Sequence, residues 1–388
     1  MTPAARVEAA IVLLDEIIDA AAGGGAAADT LIQRYFKTRR YAGSKDRRAV
    51  RDLVYQVIRA LGERPENGRA AMIGYARAEA PALLALFGTD PRGPVAVAEG
   101  EPAAALGLAP EWLAAKFAAE YADAETLLAA LAERAPLDLR VNRLKTTRSA
   151  VLPLIPGAVP TVHAQDGLRM VEALNVEDLP VYADGRVEVQ DEGSQLIAAA
   201  CRAQPEMTVV DLCAGAGGKT LALAADMENR GRLIACDADR SRLSRLGPRA
   251  ARAGAVNIET RLLDPGREAD ALGDLFGAAD VVLIDAPCSG TGTWRRNPEA
   301  RWRLTPQRLA RLTALQAHLA DLGARLLKPG GRLVYAVCSL LPEEGRLQAE
   351  ALSRRYPDLA LDGGGAQILR PDRDETDGFF IAGYEKSC

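Results

Sequence analysis

The sequence predicts an α/β protein whose C-terminal half is a doubly wound parallel sheet. An all-helical domain and a small mixed α/β module precede that sheet. Two observations carry the prediction. From about Val189 short apolar runs alternate with helix-like sequence, at Val209–Cys213, Leu233–Asp237, Asn257–Leu263, Val281–Asp285 and Arg332–Val337, the pattern of strands joined by crossover helices. Before about Arg134 the apolar residues recur at helical spacing and nothing reads as a strand.

The helical part begins with Val7, Ile11, Leu14 and Ile18, one stripe of a helix that Gly23–Gly25 ends. Leu53, Val57 and Leu61 form a second stripe behind a basic run, and residues 111–133 are Ala- and Leu-rich and again helical. After Pro136 the period changes from helical to alternating. Leu137–Leu144, Leu168–Val171 and Arg186–Val189 are short strand candidates, whereas Pro160 keeps Val159–His163 out of any central position. The expected partition is residues 1–135, 136–188 and 189–388.

With 388 residues, 26% of them charged and 48% hydrophobic, the chain can bury several cores and is neither disordered nor fibrous. No apolar run approaches the roughly 18 residues a membrane span requires. Six cysteines without a Cys-x-x-Cys pair suggest neither a disulfide framework nor a zinc site, so a reducing cytoplasm and no metal are expected. The net charge of −4 argues against nucleic acid until it is resolved by segment. Residues 34–51 hold eight basic side chains against one acid, residues 240–252 hold five against none, and residues 295–311 hold six against one. Such clusters can make localised phosphate contacts on a chain that is acidic overall.

The run Asp211-Leu-Cys-Ala-Gly215-Ala-Gly217-Gly218-Lys219-Thr220 carries a strand into a helix through glycines, which let a ligand approach the backbone beside a helix N-terminus. Asp237, 22 residues after Gly215, ends the next strand where an acid can accept from both ribose hydroxyls. Asp264, after the third strand, is placed to meet an adenine ring. The acid Asp211 at the head of the turn suits a cationic, amino-acid-bearing ligand such as S-adenosylmethionine better than a pyrophosphate. A nicotinamide dehydrogenase would need a fuller glycine pattern, and a P-loop a longer one.

Chemistry is expected at two strand ends. One reads Asp285-Ala-Pro-Cys288-Ser-Gly290-Thr-Gly292, the other Val337-Cys338-Ser339-Leu-Leu-Pro342-Glu343-Glu344. Strand C-termini in such sheets face the ligand crevice. A thiolate adding to carbon 6 of cytosine makes carbon 5 nucleophilic enough to take a methyl group. Asp285 could stabilise the charge that develops at ring nitrogen 3, and a second thiol could assist release. The base must come from a single-stranded or flipped-out position. His163 and His318, the only histidines, are assigned no chemistry.

These residues resemble the Sun-type RNA (cytosine-5) methyltransferases, the family of the bacterial 16S ribosomal RNA methyltransferase B. The resemblance runs from Pro136 to the C-terminus through Leu139-Arg-Val-Asn142, Val189-Gln-Asp191-Glu-Gly-Ser194-Gln195, the Cys213–Lys219 turn, Asp285–Gly292, Arg295-Arg-Asn-Pro298, Cys338–Glu343 and Asp377-Gly-Phe-Phe380. It implies a Rossmann-like class I methyltransferase domain and S-adenosyl-L-methionine as cofactor. It implies Cys338 as nucleophile and Cys288 as the thiol that promotes release. Cofactor contacts are implied at Cys213, Ala214, Gly215, Ala216, Gly217, Gly218, Lys219, Asp237, Asp264 and Asp285. The turn departs from the family's Cys-Ala-Ala-Pro-Gly-Gly-Lys, and Val337 stands where Thr is usual.

Residues 44–57 of the helical region resemble, more weakly, a NusB-like RNA-binding domain, which favours 16S ribosomal RNA, naked or in an early small-subunit particle, as the partner of a monomeric enzyme. RNA contacts are expected from Arg39, Arg40, Arg47, Arg48, Arg140, Arg295 and Arg296. A transfer RNA cytosine-5 methyltransferase would share every catalytic residue. A non-catalytic ribosome-assembly factor would be expected to have lost a thiol or a cofactor acid.

Overall fold

The computed structural model describes residues 1–172 and 174–388. Backbone contacts divide the chain into two units, Met1–Arg134 with Thr293–Pro306, and Ala135–Gly292 with Gln307–Cys388. Among the described residues no helix is long and apolar enough to cross a membrane.

The first unit is helical because its sequence provides both stripes and stops. Thr2 caps the helix Pro3–Gly23 by accepting from the Ala5 N–H, and Gly24, at φ 74°, ends it in the left-handed conformation. Ser44–Ala60 turns Val50, Val54, Val57 and Ile58 inward while Lys45, Arg47, Arg48 and Arg51 stay exposed. The stretch expected as one helix over 111–133 is two, Glu111–Glu120 and Ala124–Ala132.

The segment Thr293–Pro306 corrects the expected partition, because it completes the helical unit rather than the sheet unit. Trp302 is buried in the helical core and donates its indole N–H to the Leu61 carbonyl at 3.2 Å. Arg301, fully buried, donates to the carbonyls of Ile58 and Arg59 at the last turn of Ser44–Ala60, and to those of Leu108 and Pro298. Arg303 donates to the carbonyl of Ala20 in the last turn of the first helix and to those of Gly25 and Ala26 just beyond it. Glu299 accepts from the Ala28 N–H at 3.0 Å, at the start of a helix (Ala28–Thr38) whose own N-cap, Ala27, offers no side-chain acceptor. Helix ends leave N–H and C=O groups that need partners, and here a distant piece of chain supplies them with the charges the helix dipole favours.

The second unit holds two sheets. The smaller is antiparallel, in the order β2 (Ala158–Pro160), β3 (Gly167–Met170), β1 (Leu137–Val141) and β4 (Val187–Val189). Pro160 sits on the edge strand, as its missing N–H requires. The larger contains β5 (Thr208–Asp211), β6 (Arg232–Asp237), β7 (Ile258–Leu262), β8 (Ala279–Asp285), β9 (Leu327–Val337), β10 (Leu359–Leu361), β11 (Gln367–Leu369) and β12 (Phe379–Lys386). Its order is β10-β12-β9-β8-β5-β6-β7, with β11 added to β12. Strands β5 to β9 pair in parallel, and β12 joins β9 antiparallel.

Alternate residues of β8 enter different cores, Val282 and Ile284 on one face and Val281 and Leu283 on the other. Both faces are therefore covered, which accounts for continuous apolar strands without polar alternation. The chain proceeds from β5 to one side through β6 and β7, and to the other through β8 and β9. That reversal places the crevice for ligands at the C-terminal ends of β5 and β8.

Candidate active site

The turn after β5 is shaped by two glycines in the left-handed region, Gly215 at φ 56° and Gly217 at φ 86°. A side chain at Gly217 would be strained by its φ and would also place a Cβ 2.1 Å from Leu246 Cδ1. The turn leads directly into the helix Gly218–Asp226, whose N-cap, Gly217, offers no side-chain acceptor. Asp237, at the end of β6, accepts from the Gly215 N–H at 2.8 Å and the Asp239 N–H at 2.7 Å. Two such bonds leave a carboxylate further lone pairs for a diol. Leu263 donates to the Asp237 carbonyl, so exposed Asp264 follows β7 on the same rim.

Asp211 sits at the base of the turn. It is 1% exposed, accepts from the Thr220 hydroxyl at 2.7 Å, and keeps its other oxygen without a partner. Burial pushes its carboxyl up to about 7. Its first task is to tie the end of β5 to the helix behind the turn. Lys219 reaches the other way, to Asp285 Oδ2 at 2.6 Å. Burial opposes the Lys219 charge, but Asp285 more than offsets it and the ammonium is held above its ordinary value.

Cys288 and Cys338 come together as the two strand ends suggest, with 3.3 Å between their sulfur atoms. Both are free and half-buried. The hydrogen bond to Cys338 and burial push the Cys288 thiol well up, and the charges of Cys338 and Glu344 add to this. By contrast Cys201 and Cys236 are packed in the cores, and Cys213, in the turn itself, is pushed up by burial.

The two thiol-bearing loops are stitched to each other. Ala286 donates to the Ala336 carbonyl and Gly292 to the Cys338 carbonyl, at 2.9 and 3.1 Å. Thr291 accepts from the Leu340 N–H, and the Ser339 hydroxyl lies 3.1 Å from those of Ser289 and Thr291. Gly292 passes so close to Gly378 that an added Cβ would lie 1.9 Å from the Gly378 carbonyl oxygen. Phe380 pairs with Val337 across β12 and β9, so Asp377-Gly-Phe-Phe380 is held at the thiol rim. Sequence reasoning missed Ser289, Thr291, Gln316, Ser339 and Glu344. Only Glu344, an acid shortly after an apolar strand, carries any signal in the sequence.

The expected RNA contacts separate into two groups. Arg40, Arg47 and Arg48 are exposed, and Arg39 lies over the Tyr35 ring at 3.6 Å. Arg140 is buried and bonded to Gln190 at 2.6 Å, and burial pulls its guanidinium down to about 10. Arg295 is also buried, Arg296 half-buried, and Arg301 and Arg303 serve helix ends. Of the basic run 295–311, Arg308 and Arg311 are exposed, whereas Arg295 and Arg301, like Arg140, lie inside the fold. In the 240–252 run, Arg249 and Arg252 are bound to Glu188. His318 pairs with Glu268 at 3.0 Å.

Comparison with known proteins bears on this arrangement. The family model described as 16S rRNA methyltransferase RsmB/F matches residues 198–385, and that of the RsmF/B-like ferredoxin-like domain matches residues 109–177. The latter begins before the division at Arg134, so it takes in the two helices that backbone contacts assign to the helical unit. "Ribosomal RNA small subunit methyltransferase B" of Vibrio cholerae is 34% identical over 341 residues, 84% of this chain and 76% of that protein. "Probable ribosomal RNA small subunit methyltransferase B" of Synechocystis is 35% identical over 302 residues, 72% of this chain and 67% of its own. A crystal structure of a methyltransferase homolog from Pyrococcus horikoshii, 28% identical, superposes with a TM-score of 0.60 over 68% of this chain and 90% of that one. With a methyltransferase sheet, a glycine turn flanked by acids and likeness of this order over most of its length, the chain belongs to the RsmB/F family of ribosomal RNA methyltransferases, whose methyl donor is S-adenosyl-L-methionine.

Proposed function

We propose that the protein methylates carbon 5 of a cytosine in 16S ribosomal RNA through a covalent adduct between Cys338 and carbon 6. The observation that carries this reading is the pair of sulfur atoms 3.3 Å apart beside the Lys219–Asp285 pair. Methylation of an exocyclic amine needs no thiol, and a single structural cysteine needs no partner.

The cofactor's residues fit S-adenosylmethionine. Left-handed Gly215 and Gly217 open the backbone, Asp237 has lone pairs to spare, and Asp211 leaves one buried oxygen unpaired. Residues of the Cys213–Lys219 turn, Asp237, Asp264 and Asp285 would hold it. When bound, it supplies an electrophilic methyl group.

The chain's own groups do the rest. Cys338 as thiolate adds to carbon 6, and the electron pair displaced through the ring makes carbon 5 nucleophilic. The Asp285–Lys219 pair meets nitrogen 3, and a proton passed from the Lys219 ammonium through the Asp285 carboxyl neutralises the charge that develops there. After methyl transfer carbon 5 loses its proton to a base, and the carbon 6–sulfur bond breaks to return Cys338. Cys288, still a neutral thiol, donates a hydrogen bond to the Cys338 sulfur and so stabilises the thiolate as it leaves. Exposed Arg40, Arg47 and Arg48 supply phosphate contacts.

Bisulfite sequencing of ribosomal and transfer RNA from a strain lacking the gene tests the proposal. One protected cytosine of 16S RNA is expected to become convertible. Loss of protection in transfer RNA instead would move the substrate, and no loss in either would overturn the cytosine-5 reading.

A further inference from the structure

Glu344 is fully buried, yet among the described residues no cation pairs with it. Its carboxylate takes three donors. Oε1 accepts from the Ser289 N–H at 2.8 Å and from Gln316 Nε2 at 3.0 Å, and Oε2 accepts from the Ser289 hydroxyl. Gln316 Nε2 also donates to the Pro287 carbonyl at 2.9 Å. The residues on both sides of Cys288 are thus gripped by one carboxylate and the amide bonded to it. Glu344 itself lies six residues beyond Cys338, and its carbonyl accepts from the Tyr335 hydroxyl of β9 at 2.6 Å.

A glutamine could make the same number of bonds without a buried charge, which is costly to desolvate. A group needed only for shape has no use for the charge. The charge bears on two neighbours: it adds to the larger effects of the Cys338 bond and burial in opposing loss of the Cys288 proton, and it opposes ionisation of the Tyr335 hydroxyl. The remaining titratable groups around the sulfur pair are Tyr335, which donates to the Glu344 carbonyl, and Lys219 with Asp285. Lys219 acts on the Cys338 side, where the charge of Cys338 helps hold its ammonium.

We propose that Glu344 is a positioning residue that distinguishes the two thiols. It clamps the Cys288 loop against the loop carrying Cys338, and its negative charge keeps Cys288 a neutral thiol while Cys338 serves as nucleophile. The division of labour rests on the cytosine-5 reading, but the thiol chemistry can be measured without RNA.

The test is alkylation of the intact protein with iodoacetamide across pH 6–10, followed at each cysteine by mass spectrometry. In Glu344→Gln the hydrogen bonds can be kept, because the amide oxygen replaces Oε1 and the amide NH₂ faces the Ser289 hydroxyl. Cys288 is expected to react faster than in the wild type at the alkaline end of that range, because loss of the charge lowers its alkylation midpoint. The Michaelis constant for S-adenosylmethionine should hold while kcat falls. Glu344→Asp keeps the charge and shortens the reach, so Cys288 should titrate nearer to wild type than in Glu344→Gln, and kcat should still fall. An unchanged Cys288 profile in Glu344→Gln, or equal shifts in both variants, would overturn the assignment. Because the profile is read without substrate, failure of the RNA assay alone would count against cytosine-5 methylation and not against Glu344.

Discussion

Cys288 and Cys338 face each other across 3.3 Å from loops that leave two adjacent parallel strands, β8 and β9. Replacing Cys338 with Ala is expected to abolish methylation. Replacing Cys288 with Ala should instead trap an RNA–protein adduct that survives denaturation and runs as a retarded band on a denaturing gel. An adduct found with the Cys338 variant would exchange the two roles.

Trp302 fills the helical core from a remote part of the chain. Trp302→Ala should cost the helical unit about 3–5 kcal/mol, the usual penalty for removing a buried indole. Urea unfolding of the full chain followed by circular dichroism should show an earlier first transition. S-Adenosylmethionine binding, measured by calorimetry on the folded protein, should be retained.

The exposed basic run on Ser44–Ala60 is the place where charge should matter for RNA. Lys45→Glu with Arg48→Glu is expected to weaken binding and to reduce the slope of log K against log salt by about one per lost phosphate contact. An unchanged slope and affinity would make this run an ordinary solvated helix face.

Asp211 gives stability a recognisable pH dependence. Its folded carboxyl is raised to about 7 from an ordinary 3.8, so the folded state holds a proton that the unfolded chain has lost. Its contribution is fully present below about pH 4 and is lost as pH rises through 7. Urea midpoints should therefore fall between pH 5 and 8, and Asp211→Asn, which can still accept from Thr220, should flatten that limb.

Strand β12 and the clamp around Cys288 show where sequence reading ended. Strands β5, β6, β8 and β9 were legible because both their faces are buried and their apolar runs are continuous. The acids at their ends were legible because crossover topology puts every such end on one rim. Strand β12 was not, since an antiparallel addition to a sheet edge is set by its partner β9 and not by local pattern. Arg140 and Arg295 misled for a related reason. A guanidinium bound for carbonyl oxygens in an interior has the same letter as one bound for phosphate, and only packing separates them. Glu344 was visible as a letter in Leu-Leu-Pro-Glu-Glu, but its three donors come from two other parts of the chain.

The return of residues 293–306 into the helical unit also constrains how such a protein can be assembled, cut or rebuilt. A helical domain transplanted as residues 1–134 would leave behind its indole, two of its helix-end cations and one helix-start acid. Proteolysis would have to sever the chain at three places to separate the two units, after residues 134, 292 and 306, the second of them within a few residues of the Cys288 loop. A chimera that exchanges helical domains between relatives must therefore exchange two stretches of sequence, one of them embedded in the catalytic half.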